Sequence, residues 1–161
     1  MRARRSPTRG SGSIKRPSVV TGRYRTIAST PQHGRRGQRG GALELGIDVR
    51  TAEGVTILDV AGEVDLYTAP QLEEGLRRAA TATPPLLAVN LTKVTYIDST
   101  ALRVLTDSQK QAHERRGAIV VITTQPTIEK IFRITGLGTI LPVVASEREA
   151  VAHLHAHPPA A

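Results

Sequence analysis

The sequence predicts an α/β domain built on a mixed sheet of about five strands with about four helices, preceded by a disordered basic tail. Three observations predict it. Apolar residues alternate over Leu43, Leu45, Ile47 and Val49 and resume at Val55 and Ile57 after a turn, two nearly continuous apolar runs of strand length follow at Leu86–Leu91 and Ala118–Ile122, and helical periodicity occupies the intervals between the later strands.

The tail comes first. Residues 1–41 hold eleven of the 22 Lys and Arg and no acid, so the remaining eleven stand against all 14 Asp and Glu, a balance of −3 for the rest of the chain. The net charge of +8 therefore resides in the tail. This stretch is rich in Arg, Ser and Gly with no sustained period, and cannot bury enough apolar surface to offset the entropy of ordering. It is expected to be disordered, with a folded domain over 42–157 and a flexible end at 158–161. A nucleic-acid or membrane-surface arm would reveal itself by salt-dependent binding; the plainer reading is a solvated extension, with no specific nucleic acid and no membrane as partner. The segment lacks the apolar core of a secretory signal, although its Arg-rich, acid-free composition resembles an organelle transit peptide. The absence of cysteine removes disulfide scaffolds and thiolate metal sites and fits a reducing compartment. The longest apolar runs fall far short of the roughly 20 residues that cross a bilayer, so the chain reads as soluble.

Order begins with Leu43, Leu45, Ile47 and Val49, the period of a half-buried strand. A turn at Glu53-Gly54 leads into a second strand through Val55, Ile57 and Val60 up to Gly62, and the two should form an antiparallel hairpin. Thr68-Ala-Pro-Gln71 reads as a capping box with Pro70 in the first turn, opening a helix over 69–81. Leu86–Leu91, extended through Thr92–Tyr96, and Ala118–Ile122 are apolar enough to be parallel strands buried on both faces. Between them a helix over 99–116 places Ala101, Leu105, Ser108 and Ala112 on one stripe and is stopped by Gly117. Another helix starts near Pro126 with Ile128, Ile131 and Phe132 on one face and closes at Gly136. A short strand at Ile140–Val144 and a last helix capped by Ser146, with Glu147 and Glu149 in its first turn, complete the pattern.

One junction carries the chemistry. In VTYIDSTALRVL, Val94 to Leu105, an apolar strand ends in Asp98-Ser99-Thr100 and helical period resumes at once. In open α/β sheets, sites form outside the carboxyl ends of the strands. Three readings compete there. Any of the three residues can cap the helix, for about 1 kcal/mol. A hydrolase nucleophile elbow would want small residues two positions either side of the serine, where Ile97 and Ala101 stand. The third reading is phosphorylation, which adds roughly −1.5 to −2 charges; the helix N-terminus stabilises them while neighbouring Asp98 opposes them.

The order of elements, with Gly62-Glu-Val-Asp65, Tyr96-Ile-Asp-Ser-Thr-Ala-Leu102 and Ile131-Phe-Arg-Ile-Thr-Gly-Leu137, resembles the STAS domains of bacterial anti-sigma factor antagonists over about residues 43–155. The resemblance implies a STAS-like fold and a regulatory protein without enzymatic activity or cofactor. Such an antagonist binds a cytoplasmic anti-sigma factor that is also a serine kinase, so that the sigma factor is released; the kinase phosphorylates the antagonist and ends binding, and a serine phosphatase is the implied opposing partner. The modified hydroxyl corresponds to Ser99, with Thr100 as the less favoured neighbour. Asp65 matches an Asp on the partner-binding edge, and Asp98 supports the acceptor loop. Where the family has glycine after the hydroxyl pair and again two residues later, this chain has Ala101 and Arg103. Alanine suits a helix better, while Arg103 adds bulk and charge to the partner surface and bears on which kinase is recognised. Other STAS proteins imply an alternative, a non-switching scaffold or transport accessory.

The remaining motifs read as structural. His153, His155 and His157 alternate at a spacing that does not gather three ligands on a helix, so no metal is expected. Gly136-Leu-Gly138 is a helix stop, and no Gly-x-x-x-x-Gly-Lys loop exists. Glu73 with Arg77 is expected to pair on the surface, and Arg115-Arg116 to end a helix in solvent.

Overall fold

The computed structural model describes residues 44–157. The expectations for the tail, Leu43 and residues 158–161 lie outside them. Strands β1 (Gly46–Ala52) and β2 (Val55–Val64) form the expected antiparallel hairpin, with Gly46 opposite Ala61 and Ala52 opposite Val55. Its two-residue turn places Glu53 at φ 50° and Gly54 at φ 80°, the twist that tight hairpins favour. Strand β2 does not stop at Gly62. That residue takes φ 115° where the register against the next strand shifts, so the glycine marks a bulge and the strand runs on to Val64.

Helix α1 (Ala69–Ala79) follows, then β3 (Leu86–Ile97), α2 (Ser99–Glu114), β4 (Ala118–Ile122) and α3 (Pro126–Thr135). The apolar run at Leu86 and its extension form one twelve-residue strand. After Gly136, at φ 70°, a 3-10 turn at Leu137–Thr139 precedes β5, which is only Val143–Val144, and α4 (Glu147–Ala156). The strand expected from Ile140 is therefore shorter. Ile140 is half exposed and Leu141 is buried; the N–H groups of both donate to the Leu137 carbonyl (2.9 and 2.7 Å), so the turn after α3 holds them and only Val143 and Val144 pair with β4.

The sheet order is β1-β2-β3-β4-β5, with every neighbouring pair parallel except the first. Alternate side chains go to opposite faces. Leu58, Val60, Leu87, Val89, Ile119 and Val121 meet α1, α2 and α3, whereas Val55, Ile57, Ala88, Val120 and Ile122 meet Ala150, Val151 and Leu154 of α4. Two covered faces explain why β4 and the first half of β3, Leu86–Leu91, are apolar at nearly every position.

Helix α2 buries Ala101, Leu102, Leu105, Gln109 and Ala112; Ser108, expected on this stripe, is only half-buried. Gln109 reaches further and stitches the layers, donating to the Ile140 carbonyl (2.8 Å) and accepting the Ile119 N–H (2.7 Å). At the end of α2 it is Arg116 that turns left-handed, at φ 58°. Gly117 serves a different need, since a Cβ there would collide with the Pro85 carbonyl oxygen and ring.

Candidate functional site at the carboxyl edge of the sheet

Strands β2 and β3 finish level, with Val64 opposite Ile97. An aspartate follows each. The Asp98 N–H donates to the Val64 carbonyl (3.2 Å), which ties the two exits together. Asp65 Oδ1 accepts the N–H groups of Tyr67 (2.8 Å) and Thr68 (3.0 Å), and Asp98 Oδ1 accepts those of Thr100 (2.8 Å) and Ala101 (3.1 Å). Hydrogen bonds from the Thr68 backbone first, then from Tyr67 and the Thr68 hydroxyl, hold the Asp65 carboxyl below the usual range against a partial desolvation that opposes them.

The capping box expected at Thr68 and Gln71 does not form. The Thr68 hydroxyl turns back to donate to the Glu63 carbonyl (2.7 Å) and accepts the Asp65 N–H (3.0 Å), so it closes the loop rather than the helix. Gln71 Oε1 accepts instead from the Leu45 N–H (3.2 Å), fixing the start of the hairpin against α1. Pro70 does occupy the first turn.

The three readings of Asp98-Ser99-Thr100 now separate. Asp98, extended at φ −115° and ψ −174°, is the cap of α2. Ser99 is the first helical residue and is exposed, while Thr100 is half-buried and borders the hollow of about 480 Å³ between α1 and α2. The described histidines stand away from Ser99: His113 is at the far end of α2, and His153, His155 and His157 belong to α4 on the opposite face. A serine nucleophile has no base among them. Arg103 lies one turn along α2, mostly exposed, with its guanidinium 3.6 Å from Asp107.

The sequence reading missed the apolar rim of this edge. Leu66 and Tyr67, in the loop held by Asp65, are 65% and 81% exposed, and Tyr96, opposite Glu63, is 52% exposed. Large apolar side chains concentrated beside polar groups mark binding surfaces. The signal was present, since Leu66-Tyr67 interrupts an otherwise polar loop.

Elsewhere, Glu74 rather than Glu73 takes Arg77 and also Arg78, each at 2.7 Å. Arg115 is not merely solvated. It donates to the carbonyls of Ala80 (2.6 Å) and Ala82 (3.0 Å) and to the Thr83 hydroxyl (3.2 Å), tying the end of α2 to the loop after α1. The His153 and His157 rings stack at 4.5 Å, and burial first, then the charge of His157, lowers the His153 pKa. No group of three or more potential metal ligands occurs among the described residues. No helix among them is long and apolar enough to cross a membrane.

Comparison with known proteins agrees with this architecture. The STAS domain profile matches residues 46–150. The anti-sigma-B factor antagonist of Listeria monocytogenes is 33% identical over 107 residues, covering 66% of this chain and 93% of that protein. Among solved structures, an anti-sigma factor antagonist from Mycobacterium paratuberculosis superposes with a TM-score of 0.65 at 24% identity, over 73% of this chain and 99% of the other. The Bacillus cell fate determinant SpoIIAA, in its phosphorylated form, gives 0.52 at 19% identity over 67% and 98%.

Proposed function

This chain belongs to the STAS domain family, and on that premise we propose that it is an anti-sigma factor antagonist whose binding is switched at Ser99. In its unmodified form it docks an anti-sigma factor on the edge formed by Asp65, Leu66, Tyr67, Tyr96 and Asp98 to Arg103, so that the sigma factor is released. The partner is also a serine kinase. It transfers the γ-phosphoryl group of ATP to Ser99 Oγ: the Oγ–P bond forms, the bond to the ADP oxygen breaks, and the hydroxyl proton leaves to solvent or a base of the kinase. A phosphatase reverses the modification. The protein itself performs no catalysis and needs no cofactor.

The observation that carries this reading is the division of labour between neighbours. Asp98 caps α2, which leaves Ser99 exposed at the first helical position with no capping duty. A dianion there meets a helix N-terminus that tolerates it, yet it stands in the middle of the docking rim. Repulsion and desolvation worth about 3 kcal/mol would weaken binding roughly a hundredfold. The identity to the Listeria antagonist supports the partner class.

The test is a pull-down from the native cytoplasm with Ser99→Ala, followed by incubation of both proteins with the captured kinase and ATP. The variant should hold the partner and gain no phosphate by intact mass, while the parent gains one. Labelling of the variant would move the site to Thr100 or beyond. A parent that gains no phosphate from any captured partner would favour the non-switching scaffold.

A further inference from the structure

The sheet has one long edge that no described strand covers. Strand β5 closes the far side with only two residues, too few to template a further strand, whereas β1 runs for seven and pairs only with β2 among the described residues. Sheet edges are commonly blunted by lysine, proline or a bulge. The sequence GIDVRTA holds neither residue, and its register against β2 runs from Gly46 to Ala52 without a shift. The two-residue turn makes Ala52 and Val55 a hydrogen-bonded pair, and such pairs alternate back along the strand. Arg50, Asp48 and Gly46 therefore direct their backbone groups to β2, while those of Ile47, Val49 and Thr51 point outward.

The side chains of this edge form two rows. Ile47 and Val49 are half-buried on the α1 face of the sheet, and Asp48 and Arg50 are exposed on the α4 face. The Arg50 guanidinium bonds Asp59 (2.6 and 3.3 Å) and Glu147 (3.0 and 2.5 Å), which leaves one N–H, on Nη1, without an acceptor. Asp48 makes no ion pair among the described residues. Antiparallel pairing with a second copy about a two-fold axis can set the outward groups opposite one another in several registers, and the charges choose among them. An axis at Asp48 sets Asp48 against Asp48, and an axis at Arg50 sets Arg50 against Arg50. Axes at Ile47 or Thr51 shorten the match. An axis at Val49 uses the whole strand: Ile47 meets Thr51, Val49 meets Val49, and each Asp48 meets an Arg50 at the close, non-hydrogen-bonded spacing of about 4.5 Å between Cα atoms.

We propose that β1 pairs with β1 of a second copy of this chain about a two-fold axis at Val49, joining the two sheets into one. Backbone groups of Ile47, Val49 and Thr51 supply the hydrogen bonds, Ile47 and Val49 complete their burial, and Asp48 takes the free N–H of the second copy's Arg50. Contact along one short strand is small, so the dimer dissociates on dilution. Because the paired strands run in opposite directions, the two carboxyl edges bearing Ser99 face opposite ways and both stay open. The pairing does not depend on Ser99 being modified.

Sedimentation of the full chain over a concentration series should show a reversible monomer–dimer equilibrium, the same for the parent and Ser99→Ala. Asp48→Lys converts both attractive cross-strand pairs into repulsive ones and should weaken association roughly tenfold or more. Asp48 is exposed and opposite Asp59 within the hairpin, so the lysine leaves the fold intact, as an unlowered urea midpoint would confirm. Register is read with single cysteines, since the chain has none of its own. With the axis at Val49, Val49→Cys places the two thiols on a pair about 5.5 Å apart at Cα, within disulfide range, and mild oxidation should give a covalent dimer. Thr51→Cys places its thiols four residues apart along the strands, about 14 Å, and should stay monomeric on a denaturing gel. A chain that sediments as a monomer at every concentration would overturn the proposal. So would a dimer indifferent to Asp48→Lys, or one in which Cys at position 51 cross-links as readily as Cys at position 49.

Discussion

At Asp98 a single carboxylate oxygen accepts two amide N–H groups, and this releases the next hydroxyl from any structural task. Asp98→Ala should therefore cost about 1 kcal/mol, the usual loss of a helix cap, and Asp98→Asn should keep most of it; urea midpoints of the two variants check the order. The sequence shows a hydroxyl at a helix start but not which of Asp98, Ser99 and Thr100 caps, because all three residue types suit that position. Only the extended backbone of Asp98 decides it. Asp65 presents a pH-dependent counterpart. Its folded pKa is held down by the Thr68 and Tyr67 amides, so its contribution to stability is complete above the ordinary carboxylate range, near pH 4, and is lost as pH falls through the lower folded value. Asp65→Asn removes that titration. The gap in urea midpoint between parent and variant should narrow as pH is lowered from 6 toward 2; a gap independent of pH would show that the loop does not depend on the charge.

Among the elements, the ones legible in the sequence are those whose signal is local. The β1–β2 hairpin follows from alternation and a Glu-Gly turn, and the α4 cap from Ser146, whose side chain does accept the Glu149 N–H (3.2 Å). Where tertiary partners decide, the reading fails. Gly62 looks like a strand end but is a bulge against β3, and Gln71 looks like a capping partner but serves Leu45 across 26 residues. Gly117 combines both cases. It is rightly placed at a helix end, yet its reason is the chain packed against it: the Gly117 N–H donates to the Ala112 carbonyl (2.7 Å) while the next N–H, of Ala118, donates to Pro85 (2.9 Å). There is no room for a side chain facing Pro85. Gly117→Ala should thus cost about 3 kcal/mol, at the upper end of overpacking penalties, by separating the starts of β3 and β4. Equilibrium unfolding in urea with an unchanged slope would register it; an unperturbed midpoint would show that the loop simply moves aside.

Across the whole molecule, the layering determines what a modified Ser99 can and cannot disturb. Beneath the first turn of α2, Ala101 and Leu105 are fully buried against the sheet, whereas Ser99 faces outward. The charge added at the edge is attracted by the helix terminus and repelled by Asp98 and Asp65, two effects of opposite sign and comparable size, each about 1 kcal/mol or less. Neither reaches the interior. A phosphoserine at position 99 should accordingly change stability by less than about 1 kcal/mol, against the 2–5 kcal/mol lost on a core truncation such as Leu105→Ala. Amide resonances should shift at residues 64–68 and 96–103 and stay in place on β4 and α4, whose packing occupies the other face of the sheet. The same spectra discriminate between two kinds of switch. Shifts confined to the edge mean that phosphate blocks docking by its own charge and bulk, whereas shifts spreading through Val120, Ile122 and Val151 would mean that the domain repacks and that surface and core are not independent.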